Sequence, residues 1–367
     1  MRLLITVPWT RRLAGAERML HTFLTAEQAR EHELELVFLE DGPWPRELRE
    51  LGLPVQVLHA GRLREAHRFA TTVWRLRRVF AERRPDLILN WSGKAQLYGG
   101  AAAVLAGVGD RVVWWQHGVP RRGPLERAAQ LLPARAIGCT SRWQAALQEG
   151  MRPRRPTVVV PAGIAPGEAT EQARGTSLAE LPADVPVVGM VGRLQPWKGQ
   201  ERLLRAQAIL HGRGRRFHLL LVGGDTYGLS PQYAASLPGL IASLGLRGHV
   251  TLTGEVSNAR PYVARMDILV NASDPEPFGI VLLEGMAAGV PVLAVRAGGP
   301  PEILDGGRAG VLVDSGEPED LARGLQPLLE SPALRRSTGR AGHARFMENY
   351  TEAAVRKRFF ASLQALA

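Results

Sequence analysis

Residues 268–295 read ILVNASDPEPFGIVLLEGMAAGVPVLAV. The stretch opens with an apolar strand pattern that ends at Asn271, passes through a turn-rich loop, and becomes an apolar helical segment near Gly279. Gly289 and Pro291 divide the remainder into a helix and a second strand, each far shorter than a bilayer requires. A strand, a helix and a strand in succession predict a unit of a parallel α/β sheet.

The same alternation of short apolar runs and longer helical patterns extends along the whole chain. Most runs are apolar on both faces, as expected for parallel strands that helices cover on each side. The predicted strands are Leu3–Val7, Leu34–Leu39, Val55–Leu58, Leu87–Asn90, Val112–Trp115, Ala136–Cys139, Val158–Val160, Val187–Val191, His218–Val222, Val250–Thr253, Ile268–Asn271, Pro291–Val295 and Val311–Val313. Amphipathic helices are predicted over Gly15–Arg30 and His67–Arg83. The predicted fold class is therefore α/β with parallel sheets.

The length of 367 residues exceeds one ordinary hydrophobic core and suits two domains. A region rich in Pro, Gly, Ala and Glu without a long apolar run interrupts the alternation and indicates a linker. We predict an N-terminal domain over 1–165, a linker over 166–185, and a C-terminal domain over 186–348. The final helical segment, 349–367, is expected to pack back on the first domain.

The formal net charge is +11, and residues 1–180 hold 26 basic and 18 acidic residues, or +8 of it. Contact of the N-terminal half with an anionic membrane or an acidic acceptor is one explanation, and a general preference for arginine is the other. The arginine-bearing face of His67–Arg83 has the same two explanations, a membrane surface or plain solvation. Nucleic-acid binding is disfavoured, because no basic stripe alternates with stacking aromatic residues.

A single cysteine, Cys139, excludes an internal disulfide framework and favours a reducing compartment. The apolar opening Leu3–Val7 is too short for a secretory signal. We therefore expect a cytoplasmic location, with peripheral contact at the inner face of the membrane left open.

Several cofactor motifs are absent from the sequence. Gly93-Lys94 lacks the remainder of a phosphate-binding P-loop, and no Gly-x-Gly-x-x-Gly follows the first strand. There is no His-Glu-x-x-His, no cysteine cluster and no Asp-x-Asp pair. We expect neither a tightly bound cofactor nor a catalytic metal.

Two loops carry the residues with the strongest chemical signal. The loop after Asn271 lies at the carboxyl end of a predicted parallel strand, where ligands of open α/β sheets bind. It holds Glu276 and Gly279, and the free N–H groups of the helix that follows favour an anion. Glu284 is the one charge between Gly279 and Val295 and needs a polar partner if buried, a nearby arginine being the structural alternative.

The second loop reads VGRLQPWKG over residues 191–199 and again joins a predicted strand to a predicted helix. It places Arg193 and Lys198 five positions apart, across a segment that contains Gly192 and Pro196. Two such cations suit a diphosphate held without a metal ion. Lys198 is also one of only three lysines in this arginine-rich chain.

Together these segments resemble glycosyltransferase family 4, the retaining enzymes also called glycosyl transferases group 1. The resemblance covers essentially the whole chain and is sharpest from Gly189 to Glu302. It implies the GT-B architecture, in which an acceptor-binding and a nucleotide-sugar-binding Rossmann-like domain face a deep cleft.

The resemblance also implies roles for individual residues of the second half. Arg193 and Lys198 match residues that hold the donor diphosphate. Glu276 matches the carboxylate that contacts the transferred sugar, and Glu284 the one that binds the nucleotide ribose. The further donor-binding positions are Gly192, the backbone around Phe278, Gly279 and Ile280, and Thr253 to Val256 beside the base.

In the first half, residues 14–18 resemble the family's Gly-Gly-x-Glu turn, with Ala14 where glycine is usual and Gly15 retained to approach the phosphates. His117, which follows a predicted strand, resembles the family's histidine near the reaction centre, and a core or loop histidine is its alternative. Lys94 and Arg121 are candidates for binding a lipid-linked or anionic glycan acceptor, the alternative being solvated surface loops.

The function implied is metal-independent transfer of a sugar from a nucleotide-diphosphate-sugar to a hydroxyl of a glycan, lipid-linked glycan or small molecule. Retention without an evident enzymic nucleophile implies a front-face mechanism. Two alternatives remain: a nucleotide-sugar epimerase, which needs no acceptor, and a non-catalytic protein that binds nucleotide sugars.

Overall fold

The computed structural model describes residues 1–11, 15–120, 123–167, 181–182 and 184–367. The chain forms two compact units. The first comprises Met1–Ala162 and Ala353–Ala367, and the second comprises Gly163–Glu352. The domain bounds expected from the sequence remain predictions, and most of the predicted linker lies outside the described residues.

The first unit contains a seven-stranded sheet in the order β3-β2-β1-β4-β5-β6-β7, in which every neighbouring pair is parallel. Its strands are Arg2–Val7 (β1), Glu33–Phe38 (β2), Val55–Val57 (β3), Leu87–Asn90 (β4), Val112–Trp115 (β5), Ala136–Cys139 (β6) and Thr157–Val159 (β7). Its central strands are buried along their whole length, which explains their continuous apolar sequences.

The helices of this unit connect successive strands. They are Gly15–Leu24, Pro43–Glu50, Ala66–Arg83, Gly93–Ala106, Pro124–Leu131 and Arg142–Glu149. The helix predicted over Gly15–Arg30 ends at Leu24, six residues earlier than predicted, so the predicted C-terminal bound was wrong. The hydroxyl of Thr25 donates to the carbonyl of His21 at 2.9 Å, and Ala26 takes an extended conformation before the 3-10 turn Glu27–Glu31.

The last helix, Glu352–Leu366, contributes to the core of the first unit. Phe359 stacks on Phe23 at a centroid distance of 3.9 Å and meets the rings of Trp91 and Trp115 at 6.1 and 5.3 Å. Both ends of the chain therefore share one apolar core.

The second unit contains a six-stranded parallel sheet in the order β10-β9-β8-β11-β12-β13. Its strands are Val187–Val191 (β8), His218–Val222 (β9), Val250–Leu252 (β10), Ile268–Asn271 (β11), Val292–Val295 (β12) and Val311–Val313 (β13). All thirteen predicted strands are confirmed, each bound lying within one residue of its prediction.

The second unit's helices are Gln200–Gly212, Pro231–Ser243, Arg260–Val263, Ile280–Ala287, Pro300–Ile303, Pro318–Glu330 and Pro332–Asn349. They bury both faces of the sheet. Within the described part of the chain, no helix combines the length and apolar character needed to cross a bilayer.

Candidate active site

The two loops with the strongest sequence signal begin side by side in the second unit. β8 pairs with β11, and from there the chain continues to β9 on one side and to β12 on the other. Connections that leave in opposite directions open a crevice at the carboxyl ends of the two strands, the usual ligand site of such sheets. Lys198 follows β8 and Glu276 follows β11.

A short ion pair joins the two loops across this crevice. Lys198 Nζ lies 2.6 Å from Glu276 Oε2, and only 15% and 9% of the two side chains are exposed. Asn271 Nδ2 donates to the same carboxylate oxygen at 3.3 Å. Burial alone would raise the pKa of Glu276, but the charge of Lys198 and hydrogen bonds from Lys198, Ser273 and Asn271 hold that pKa below its ordinary value. The site therefore contains a charged carboxylate beside a charged ammonium.

The backbone around Lys198 fixes the direction of its side chain. Pro196–Lys198 forms one 3-10 turn, which ends at Gly199 with a φ of +90°. A Cβ at Gly199 would lie 2.5 Å from the carbonyl oxygen of Ala272, so only glycine permits the close approach of the two loops. Lys198 Nζ also lies 4.1 Å from the centroid of the Trp197 ring, a cation–π contact.

Arg193 is held through its main chain. Its carbonyl accepts a hydrogen bond from Gln200 Nε2 at 2.8 Å, and the hydroxyl of Tyr233 donates to Gln200 Oε1 at 3.2 Å. Among the described residues the half-buried Arg193 guanidinium has no carboxylate partner. Its charge is therefore available to an anionic ligand.

The main chain of Glu276 is fixed by a neighbouring loop. Its N–H donates to the carbonyl of Ala297 at 3.2 Å, and its carbonyl accepts from Gly299 at 2.8 Å. Gly298 has a φ of +93°, and a Cβ there would lie 2.0 Å from the Glu276 carbonyl oxygen. This close packing fixes the main chain that carries the Glu276 carboxylate.

The helix Ile280–Ala287 begins after Gly279, whose φ of +109° strongly favours glycine. Its first N–H groups are free of intrahelical partners and favour an anion. Phe278 and Glu284 are buried, at 6% and 7% exposure. Glu284 is therefore a buried acidic side chain on the helix that follows the Glu276 loop.

Thr253 and Val256 lie further along the same sheet edge, after β10. Thr253 Oγ1 accepts from the N–H of Gly223 at 3.3 Å and donates to the carbonyl of Gly254 at 2.8 Å. Val256 is half-buried. The structure thus places these two residues beyond β9, two strands away from β8.

His117 belongs to the first unit, immediately after β5. Its ring contacts those of Trp9 and Trp91 at centroid distances of 5.8 and 4.8 Å. Its buried Nε2 has no hydrogen-bond partner among the described residues. Burial lowers the pKa of His117 to about 3, so the imidazole is neutral near pH 7 and suits hydrogen bonding to a neutral group.

The remaining candidates also lie in the first unit. Gly15 begins the helix Gly15–Leu24, while Ala14 lies outside the described residues. Lys94 Nζ lies 4.0 Å from Glu40 Oε1 on a helix whose first turn is capped by Ser92. Arg121 also lies outside the described residues.

Asn271 and Gln200 are site residues that the sequence analysis did not single out as functional. Asn271 ends a strand, and a polar residue at the carboxyl end of an apolar strand was the available signal. For Gln200 no sequence pattern indicates the bond to Arg193. Within the described residues, no three or more His, Cys, Asp or Glu side chains form a group suited to a metal ion.

Two family models match successive parts of the chain. The model for Glycosyltransferase Family 4 matches residues 13–168, and the model for Glycosyl transferases group 1 matches residues 178–345. The chain belongs to the group 1 glycosyltransferases of the family 4 type, as its sequence predicts.

The curated relatives that match the chain are also named glycosyltransferases. The lipopolysaccharide core biosynthesis glycosyltransferase LpsE of Rhizobium meliloti is 32% identical over 176 residues, which is 48% of this chain and 49% of that protein. The D-inositol 3-phosphate glycosyltransferase of Segniliparus rotundus is 36% identical over 195 residues, or 51% and 42% of the two chains. The matches thus span about half the length of these relatives.

A solved structure matches over the full length. Anabaena Alr3699/HepE, crystallised in complex with UDP, superimposes with a TM-score of 0.79 at 25% identity and covers 100% of both chains. Together with the two parallel-sheet units, this likeness confirms the predicted GT-B architecture.

Proposed function

We propose that the chain is a retaining glycosyltransferase that moves a sugar from a nucleotide-diphosphate-sugar to an acceptor hydroxyl without a metal ion. The observation that carries the proposal is the ion pair of Lys198 and Glu276 at the crevice between β8 and β11, with the unpaired charge of Arg193 on the same loop. A carboxylate and two cations in one crevice match a ligand that combines sugar hydroxyls with a diphosphate.

Each part of the donor has a matching group. The diphosphate binds Arg193, Lys198 and the N–H groups around Gly279, while Gly192 allows its close approach. Glu276 receives hydroxyls of the sugar, and Glu284 binds the ribose. The backbone of Phe278 and Ile280 contacts sugar and phosphate, and Thr253 and Val256 border the base.

The reaction breaks the bond between the anomeric carbon and the diphosphate oxygen and forms a bond from that carbon to the acceptor oxygen on the same face. The acceptor proton passes to the departing phosphate oxygen. Arg193 and Lys198 stabilise the negative charge that grows on the leaving group, and such electrostatic stabilisation accounts for most of the rate enhancement in many enzymes. In the first unit, neutral His117 suits a hydrogen bond to a sugar hydroxyl rather than an ion pair.

Two rival functions make different products. An epimerase would convert the donor in the absence of any acceptor, and a binding protein would leave it unchanged. The acceptor-dependent appearance of an α-linked product from an α-linked donor, followed by NMR of the anomeric proton, favours the proposed function over both.

We predict that the UDP form of the donor raises the melting temperature, since the similar HepE structure holds UDP. A ligand that binds only the folded state adds about 2.7 kcal/mol of stability at 100 times its Kd. The measurement is a thermal-shift assay with UDP, GDP, ADP and their common sugars, each with and without EDTA. The shift should persist in EDTA and disappear in Glu284→Ala.

Exposed Glu348→Ala is the matched control, because it removes a carboxylate from another helix of the same unit. A shift that EDTA abolishes would contradict metal-independent binding. If Glu284→Ala still shows the shift in melting temperature, the assignment of Glu284 to the nucleotide ribose is contradicted.

We propose a glycan acceptor, and Trp9 supports that choice. Trp9 follows β1, is half-buried, and lies edge-on to His117 at 5.8 Å. An indole ring beside a neutral, half-buried imidazole suits the apolar face and hydroxyls of a sugar ring. Lys94 and the nearby Glu40 place charged groups at the same edge of the sheet. Arg121 is proposed as an acceptor-binding residue from the sequence alone.

We also propose that the acceptor is presented on an anionic membrane surface. Trp74 on the helix Ala66–Arg83 and Val104 and Leu105 on the neighbouring helix are all more than half exposed. The Arg77 guanidinium lies 4.7 Å from the Trp74 ring and donates to the carbonyl of Leu105 at 3.1 Å. Exposed apolar groups beside arginines suit the interface of an anionic bilayer.

One experiment separates the acceptor site from the membrane surface. Trp9→Ala should raise the KM of free and vesicle-borne glycan acceptors about tenfold, the loss of roughly 1.4 kcal/mol of ring contact. Trp74→Ser should raise only the KM of acceptors embedded in phosphatidylglycerol vesicles. Unchanged acceptor KM values in Trp9→Ala would contradict the acceptor assignment, and equal behaviour of Trp74→Ser with both acceptors would contradict the membrane contact.

A further inference from the structure

Arg202 lies in the first turn of the helix Gln200–Gly212, outside the set of residues assigned to the donor. Its Nη2 donates to the carbonyl of Ala272 at 2.6 Å and to the carbonyl of Trp197 at 3.4 Å. Trp197 directly precedes Lys198, and Ala272 belongs to the loop that carries Glu276. One guanidinium therefore joins the two loops whose side chains form the ion pair.

The guanidinium of Arg202 is enclosed by tightly packed backbone. A Cβ at Gly199 would lie 2.9 Å from its Nη2, and a Cβ at Gly316 would lie 3.0 Å from its Nε. Among the described residues its Nε has no hydrogen-bond partner. A buried donor without a partner costs stability. In the described part of the chain, Nη2 therefore makes the contacts to the loops and Nε makes none.

The bonds from Arg202 supplement contacts that the loops make themselves. The N–H of Asp274 donates to the Trp197 carbonyl at 3.1 Å, and Lys198 meets Glu276 at 2.6 Å. A bound donor would draw Lys198 towards phosphate and Glu276 towards hydroxyls, which loosens the direct ion pair. The contacts of Arg202 are made to main-chain carbonyls and are independent of that change.

We propose that Arg202 is a positioning residue, which keeps the Lys198 loop and the Glu276 loop at one separation while the donor is bound. The inference rests on the proposed function, because it assigns both loops to the donor. A misplacement of about 1 Å in such a site lowers turnover by up to about 100-fold. Lysine is expected to substitute poorly, because the flexible stem of its ammonium does not hold the donor where the planar guanidinium holds Nη2.

The test compares Arg202→Ala, Arg202→Lys and the control Arg205→Ala. Arg205 lies one turn further on the same helix, is about half exposed, and pairs with Glu201 at 2.8 Å. We expect Arg202→Ala and Arg202→Lys to lower kcat by about 10- to 100-fold with acceptor KM unchanged. Millimolar guanidinium should restore part of the kcat of Arg202→Ala, whereas methylammonium should not.

A purely structural role would lower the melting temperature without these kinetic effects. The proposal is overturned if Arg202→Ala has the kcat of Arg205→Ala, or if guanidinium fails to restore a folded Arg202→Ala. If Arg202→Ala does not fold, the kcat of Arg202→Lys is compared with that of Arg205→Ala instead, and equal values overturn the proposal. Failure of the proposed function can be told apart from failure of the Arg202 proposal, since the unmodified protein would then show no sugar transfer at all.

Discussion

Lys198→Ala is expected to lower turnover by about 100-fold or more, and Arg193→Ala to have an effect of the same size. Each substitution removes a cation that stabilises charge on the departing diphosphate, and one such donor contributes on the order of 3–4 kcal/mol. The two residues are fixed by different contacts, Lys198 by Glu276 and Arg193 by Gln200, so either variant leaves the other cation in place. Steady-state kinetics with a saturating donor measures the loss.

The control must separate catalysis from stability. Lys198→Ala leaves Glu276 buried without its counterion, and an uncompensated buried charge is destabilising. The double variant Lys198→Ala/Glu276→Gln removes both charges and should regain stability but not turnover. Lys357→Ala, on an exposed position of the last helix, should behave as the unmodified protein. Near-normal turnover in both Arg193→Ala and Lys198→Ala would contradict the assignment of these two residues to the donor diphosphate.

Glu276→Gln is expected to lower turnover by about 100-fold, because the amide keeps the shape but loses the charge that orients the sugar. The variant should fold but be less stable, since the buried Lys198 loses its counterion. The pH dependence gives a second measurement. A carboxylate with a depressed pKa contributes stability above its unfolded pKa, and that contribution is lost as the pH falls through the folded pKa. The acid limb of kcat/KM, which reports groups of the free enzyme, should likewise lie below the ordinary range of a glutamate side chain.

The matched comparison is Lys198→Ala, in which the acid limb should move upwards, since the cation that lowers the pKa of Glu276 is gone. An acid limb well above the ordinary glutamate range in the unmodified protein would mean that the pair does not form in solution.

The strands were predictable because each is a short apolar run between turn residues, and burial on both faces removes the need for alternation. The sequence also located Lys198 and Glu276 at strand ends. The residue pattern by itself does not show that β8 lies beside β11, because strand order depends on how the connecting helices cross the sheet. Only the resemblance to the family assigned both loops to one donor. The 2.6 Å ion pair follows from that order.

Other features were not predictable for a different reason. Gln200 and Arg202 bind main-chain carbonyls, and any residue type presents the same carbonyl, so the partner leaves no trace in the sequence. The helix Gly15–Leu24 ends before Ala26, which takes an extended conformation, although residues 25–30 contain neither glycine nor proline to signal that end.

The stacking of Phe359 on Phe23 has a consequence for biosynthesis. The amino-terminal sheet emerges from the ribosome first, but the phenylalanine that covers Phe23, Trp91 and Trp115 emerges only after the entire second unit. Until then these rings lack their final packing partner, and exposed apolar surface in a nascent chain promotes aggregation. The order of translation thus makes the amino-terminal unit the last to complete its core.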